Sequence, residues 1–292
     1  MAHWIALAAG FALIFAGSAA GQTKDSAWPE TAPPKLALLV YQKFPIDKMA
    51  ASGKALAAAA RACANLDVPN SWIVMESVTA EPEFLSFDPF DSFAHIDKAF
   101  AGWGPIYAAH PELGKAQAQI MGALVSQRTI VAVRREDLSY RASRIDLSKA
   151  RFMRVLEVRL HPGRENDFAE AFQKLSAAYD KTDSDLRWVV YQVNVGMPSP
   201  AFFAFVPMKS LAQNDDLLNL RDRLHEAEGD AAEGMQQLAR EAYASTESNL
   251  YAISPEKSHV SKEFAAGDPQ FWTPRPQPPK PAPKSAKSKP KQ

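Results

Sequence analysis

The chain is poor in the features that usually announce a chemistry. It has one cysteine, Cys63, in 292 residues, so no internal disulfide can form. Its six histidines (His3, His95, His110, His161, His225 and His259) lie far apart, with no H-x-x-x-H or H-E-x-x-H spacing, and no metal site is expected. G-x-S-x-G, the Walker loop and G-x-G-x-x-G are all missing. With them go the hydrolase elbow, the phosphate-cradling loop and the dinucleotide fingerprint. A lone serine or cysteine without a recognisable base is no evidence of a nucleophile. Nor is there an excess of one charge, since 33 basic residues balance 33 acidic ones. The balance is uneven along the chain. Six basic residues and no acids follow Asp268, which leaves 27 basic against 33 acidic residues before it. An acidic body argues against nucleic acid as a partner.

Only one apolar run is long. Trp4–Ala20, WIALAAGFALIFAGSAA, carries no charge and ends in small residues. It suits the core of an export signal and is short for a membrane span. Residues 1–21 are therefore read as a signal peptide, with an uncleaved anchor as the second reading, and the protein is expected in the periplasm or outside the cell. Residues 22–34 form a polar, proline-containing leader, expected to be loose. Residues 269–292 are rich in proline and lysine and are expected to be disordered or extended. Such a tail solubilises the chain or holds it to an anionic envelope surface. Cys63 sits on the apolar stripe of KALAAAARACANL, where a buried small hydrophobe is expected.

What the chain does have is a copy of itself. Leu38–Asp67 and Arg154–Asp183 share one order of strand, turn and helix at an offset of 116, and Trp72 and Val74 then fall on Trp188 and Val190. Past a two-residue gap, Phe84, Phe87, Pro89 and Ser92 meet Phe202, Phe205, Pro207 and Ser210. Repeats of this kind decide the fold before any motif does. Alternation and helical spacing place strands near 36–44, 72–78, 84–87 and 129–134, and again near 152–160, 188–195, 202–206 and 250–253. Helices fall between the first and second and between the third and fourth strand of each set. The helix over 92–125 should break near Gly104-Pro105 and His110-Pro111. Residues 35–145 and 150–262 thus each read as β-α-β-β-α-β, a ferredoxin-like unit. The class is α+β, with two tandem units covering each other's open sheet faces.

The stretches RFMRVLEVRLHPGRENDFAEAFQKL and WVVYQVNVGMPSPAFFAFVPMKSL carry a family resemblance. The chain resembles the dimeric α+β-barrel superfamily, which includes antibiotic-biosynthesis-type monooxygenases, NIPSNAP-like proteins and haem-handling enzymes, and within it tandem-repeat exported bacterial proteins. The resemblance implies an intrachain barrel with a pocket between the sheets. It implies no particular reaction, because a fold does not fix a function.

Strand alternation then nominates pocket residues. Trp72 and Glu76 share one face of their strand, Trp188, Gln192 and Asn194 share the equivalent face, and Glu157 and Arg159 match Tyr41 and Lys43. Trp72, Glu76, Glu157, Arg159, Trp188, Gln192 and Asn194 are accordingly expected to line the pocket, and a buried Glu76 could serve as a base. The first functional reading is an exported, non-catalytic envelope protein, structural or holding a small apolar ligand, with no cofactor. The alternatives that the resemblance implies are a cofactor-independent monooxygenase or isomerase and a haem-binding protein. In the last, His110 would be the ligand.

Overall fold

The structure is a computed structural model that describes residues 31–66, 68–182, 185–219 and 229–273. The segment read as an export signal, most of the expected leader and residues 274–292 lie outside the described residues. No described helix is long and apolar enough to cross a membrane.

Eight strands follow in chain order: β1 (Leu36–Lys43), β2 (Trp72–Ser77), β3 (Glu83–Phe90), β4 (Ser126–Tyr140), β5 (Phe152–Leu160), β6 (Trp188–Val195), β7 (Ala201–Met208) and β8 (Tyr243–His259). They form one closed barrel in the order β1-β3-β2-β8-β5-β7-β6-β4. Every pairing is antiparallel. Each repeat supplies four strands, and the two quartets join where β2 meets β8 and β4 meets β6. The fold is therefore α+β, two ferredoxin-like units closed into a barrel within one chain. Closure leaves no sheet edge to pair with another molecule. Register repeats too: Leu39 faces Phe87 and Val155 faces Phe205.

β4 and β8 run far beyond the segments expected from sequence. Each serves two partners at different heights. β4 pairs with β1 through Ser126–Val133 and with β6 as far as Tyr140. β8 pairs with β5 through its first half and with β2 through its second.

Helices α1 (Met49–Cys63), α2 (Phe93–Ala109) and α3 (Pro111–Ala123) cover the first quartet. α1 is alanine-rich, a strong helix former. It buries Ser52, Leu56, Ala59, Ala60 and Cys63 at helical spacing. Cys63 is buried as expected, and burial pushes its thiol up to about 11. Ser92 caps α2 by accepting from the His95 N–H. The helix ends at His110, whose conformation is restricted by Pro111, the first residue of α3. The expected break is therefore real, while Pro105 stays inside α2. On the second quartet lie α4 (Glu165–Asp180), which buries Phe168 and Phe172, and α5 (Gly229–Ala242).

Both faces of the sheet are buried. On β1, Ala37, Leu39 and Tyr41 point into the barrel, and Leu36, Leu38 and Val40 pack beneath Ile96 and Ala99 of α2. One end of the barrel is capped. The inter-repeat segment brings Ile145 and Leu147, and the short helices α6 (Lys262–Ala266) and α7 (Pro269–Trp272) bring Phe264 and Trp272. The Trp272 indole N–H donates to the Ser148 carbonyl at 2.7 Å. Two sequence expectations are corrected here. The tail does not begin at 269, because Trp272 belongs to the barrel core. The last residues of the leader are not loose either, since Tyr191 Oη donates to the Pro34 carbonyl at 2.9 Å and the Leu147 N–H to the Thr31 carbonyl at 2.8 Å.

Candidate functional site

The interior of the barrel is filled. Ile73, Met75, Phe87, Met153, Val189, Phe205 and Ile253, with Pro33 and Leu147 of the capped end, surround a void of about 20 Å³. That is room for about one water, and apolar walls of this kind stay dry. Where a pocket between the sheets was expected from sequence, the described inner-face residues form a packed core.

The uncapped end is different. There a pocket of about 280 Å³ opens between the ends of β1, β3, β4, β5 and β8. Glu83 and Tyr251 form its floor. The Tyr251 hydroxyl donates to Glu83 Oε1, and Glu83 is only 5 % exposed. Burial raises the Glu83 carboxyl above its ordinary value, with Tyr251 and Lys43 acting in the opposite sense. Burial also pushes both the Tyr41 and the Tyr251 phenols upward, so Tyr251 keeps its proton and remains the donor. One wall is an ion pair that crosses between the repeats. The Arg128 guanidinium forks onto Glu157, with Nη2 at 2.9 Å from Oε2 and Nη1 at 3.4 Å from Oε1. It also lies over the Tyr41 ring at 4.7 Å from the centroid. That fork uses two of the five guanidinium N–H donors. Lys43 is bonded to Glu81 at the rim.

Of the expected pocket residues, the structure brings only Glu157 into this pocket. Arg159 stands beyond it on β5 and is half-buried. The remaining five lie on the outer face of the barrel. Trp72 packs against Trp103 and His259, with its indole N–H donating to the Lys257 carbonyl at 3.1 Å. Trp188 stacks on Tyr140 and donates to the Leu138 carbonyl at 2.8 Å. Glu76 accepts from buried Lys257 at 3.2 Å. That lysine packs against α1 at Gly53, where a Cβ would come within 2.9 Å of Lys257 Cε. Gln192 accepts from Arg135 at 2.6 Å, and Asn194 is exposed. Alternation grouped these residues correctly but assigned them to the wrong face. Glu83, Arg128 and Tyr251 were missed. The available signal was polar residues in phase with Tyr41 at the ends of apolar strands.

No group of three or more His, Cys, Asp or Glu side chains among the described residues could hold a metal. The four described histidines lie away from both spaces. His110 sits on the outside between α2 and α3, paired with Glu112 at 3.2 Å. His95 and His259 pack against Phe90 and Trp72 on the outer face, and His161 is exposed in a turn. None of these four lines the core or the mouth.

No protein-family model matches the chain, and no curated protein matches it in sequence. Solved structures do match. An anthrone oxidase-like protein superposes with a TM-score of 0.51 at 12 % identity, over 77 % of this chain and 93 % of its own. A proposed monooxygenase from Fusobacterium nucleatum gives 0.50 at 10 % identity, over 75 % and 93 %. A haem-binding protein from Thermus thermophilus gives 0.42 at 12 % identity, over 76 % and 92 %. At 0.42 the last carries no argument, and the first two speak for the fold alone. The class is the dimeric α+β barrel, here completed by two repeats of a single chain.

Proposed function

We propose that the chain is an exported, non-catalytic envelope protein that binds a small polar molecule at the open mouth of its barrel. The observation that carries this reading is the contrast between an interior void of about 20 Å³ beneath the cap and a mouth of about 280 Å³. The mouth has an aromatic and ionic lining suited to orienting a small ligand. Export and the envelope location rest on residues 1–21 and on the basic tail. Saturation-transfer NMR of the mature protein against a panel of small polar metabolites tests the binding. A true ligand should lose about tenfold or more in affinity in both Arg128→Gln and Glu83→Gln. A panel in which every hit ignores both changes overturns the site. Mass spectrometry of the secreted chain should find its N-terminus at residue 21 or 22, and recovery of the intact chain from the cytoplasm overturns export.

Glu83 favours a second reading, a cofactor-independent monooxygenase or isomerase. A buried carboxylate with a raised pKa and a tyrosine partner meets the requirement for a general base. Turnover abolished by Glu83→Gln, with ligand affinity kept, would select this reading over simple binding. Titration with haem should leave the visible spectrum that of free haem, because no described histidine lines either space.

A further inference from the structure

The two repeats differ at the capped end, on the outer side of the barrel. In the first repeat this place is closed by a buried polar network. Asn70 accepts from the Trp103 indole and donates to Asp88, and Asp88 accepts from Ser86. At the offsets that relate the repeats, Asn70 becomes Leu186 and Asp88 becomes Val206. Neither can take part in such a network. In the second repeat the place is a pocket of about 510 Å³, between the inter-repeat segment, the start of β6 and the end of β7.

Four cations line it: Arg144, Lys149, Arg187 and Lys209. Two are neutralised locally, Lys149 by Asp146 at 3.1 Å and Arg187 by Asp185. Arg144 and Lys209 have no ion pair among the described residues, and Asp216 is the one lining carboxylate left over. The balance is therefore positive. Arg187 is held in place by donating from Nη1 to the Arg144 carbonyl at 2.7 Å. Its Nε–H is buried with no acceptor in the protein among the described residues. The exposed part of its guanidinium remains available at the pocket wall. Leu186, Val206 and Leu217 add apolar surface to the wall, and Gln213 adds a further polar group.

We propose that this pocket binds a small organic anion, with a carboxylate or phosphate head held by Arg144, Arg187 and Lys209 and an apolar body against Leu186 and Val206. A guanidinium matches either head group through paired N–H donors. The site is separate from the mouth, at the opposite end of the barrel, and stands whether or not the mouth binds anything.

Isothermal titration calorimetry of the mature protein with octanoate, octyl phosphate and octan-1-ol tests it. At least one of the two anions should bind, with affinity falling as salt rises. Octanoate alone assigns a carboxylate head, and octyl phosphate alone assigns a phosphoryl head. Arg144→Gln and Lys209→Gln change exposed side chains, so the fold should survive, and each should weaken binding by about tenfold. Arg128→Gln, at the mouth, should leave the affinity for the bound anion unchanged. The proposal is overturned if neither anion binds at millimolar concentration, if octan-1-ol binds as tightly, or if the two glutamine variants bind like the wild type.

Discussion

Both repeats pack rings against the outer sheet face, Trp72, Phe84 and Trp103 in the first and Phe168, Phe172, Phe202 and Trp188 in the second, but the first adds a buried polar network where the second has Leu186 and Val206. In that network Asn70 links the indole of Trp103, on α2, to Asp88, which also accepts from Ser86. Beneath α4 lie Phe168, Phe172, Phe202 and Trp188, with Phe168 stacked on Phe202 at 4.5 Å. An aromatic cluster tolerates a neighbouring gap, since each ring contributes burial largely on its own. A buried polar network does not, because every member must be matched. One backbone plan thus supports ring packing with and without a polar network, and the copy without the network is the one with an open pocket at the capped end.

Cutting the polar network should have the largest effect. Asp88 is fully buried and holds Ser86 at 2.6 Å and Asn70 at 3.3 Å. Asp88→Ala removes both acceptors and leaves a cavity, at a cost of about 3 kcal/mol or more. Its counterpart Val206 is only half-buried, and Val206→Ala should cost about 1 kcal/mol or less. Urea denaturation of the two variants measures both. Equal losses would mean that the repeats are held in the same way after all.

The network should also carry a pH signature that the second repeat lacks. Burial raises the Asp88 carboxyl well above its ordinary value of 3.8, with Ser86 acting the other way. The folded chain therefore keeps this proton over a range in which the unfolded chain has released it. The stability it contributes is complete below the unfolded value and is lost as pH rises toward the folded one. Asp88→Asn has no proton to lose. The stability difference between wild type and Asp88→Asn should then shift toward the variant as pH rises above the unfolded carboxyl value of about 4, by up to about 1.4 kcal/mol per pH unit, until the folded carboxyl also ionises. Glu83 shifts in the same direction, but it is common to both proteins and cancels. A constant difference across that range would show that Asp88 is ionised in the fold.

The architecture was legible in the sequence because it is written twice. Two copies of one strand and helix order fix the unit, and a unit with one open sheet face needs a partner. The site was not legible, for a reason visible on β1 and β2. Alternation tells which residues share a face, but it identifies the inner face only when the other face is polar. Here helices cover the outside and a core fills the inside, so both faces read as apolar. Trp72 and Trp188 were expected inside and instead anchor the helices. The mouth residues suffered from a second effect. Glu83, Arg128 and Glu247 lie at or just outside the strand ends expected from the apolar runs, because paired strands extend through polar residues once a neighbour supplies hydrogen bonds.

The two tryptophans mark the place where the repeats should behave alike. Each indole donates to a carbonyl of the long strand that lies beside it at a junction between the quartets: Trp72 to Lys257 on β8 and Trp188 to Leu138 on β4. Trp72→Phe and Trp188→Phe keep a ring but orphan a buried carbonyl, so each should cost about 1–2 kcal/mol. The two losses should agree within about 0.5 kcal/mol and add in the double variant, because the sites are well separated. Strong non-additivity would mean that the β2–β8 and β4–β6 junctions open together.

The smallest effect is expected at the mouth, where equivalent positions have diverged into a cooperating pair. Tyr41 and Glu157 occupy the same place in the two repeats, and Arg128 reaches across to both, over the ring of one and forked onto the carboxylate of the other. The Arg128 side chain is 40 % exposed, so solvent screens the pair. A double-mutant cycle of Arg128→Gln with Glu157→Gln should give a coupling of about 0.5–1 kcal/mol in stability. If that pair were a structural clasp between the repeats, the coupling would exceed this and persist at high salt. If it serves a ligand, stability will hardly change, and the same two substitutions will show their effect in binding.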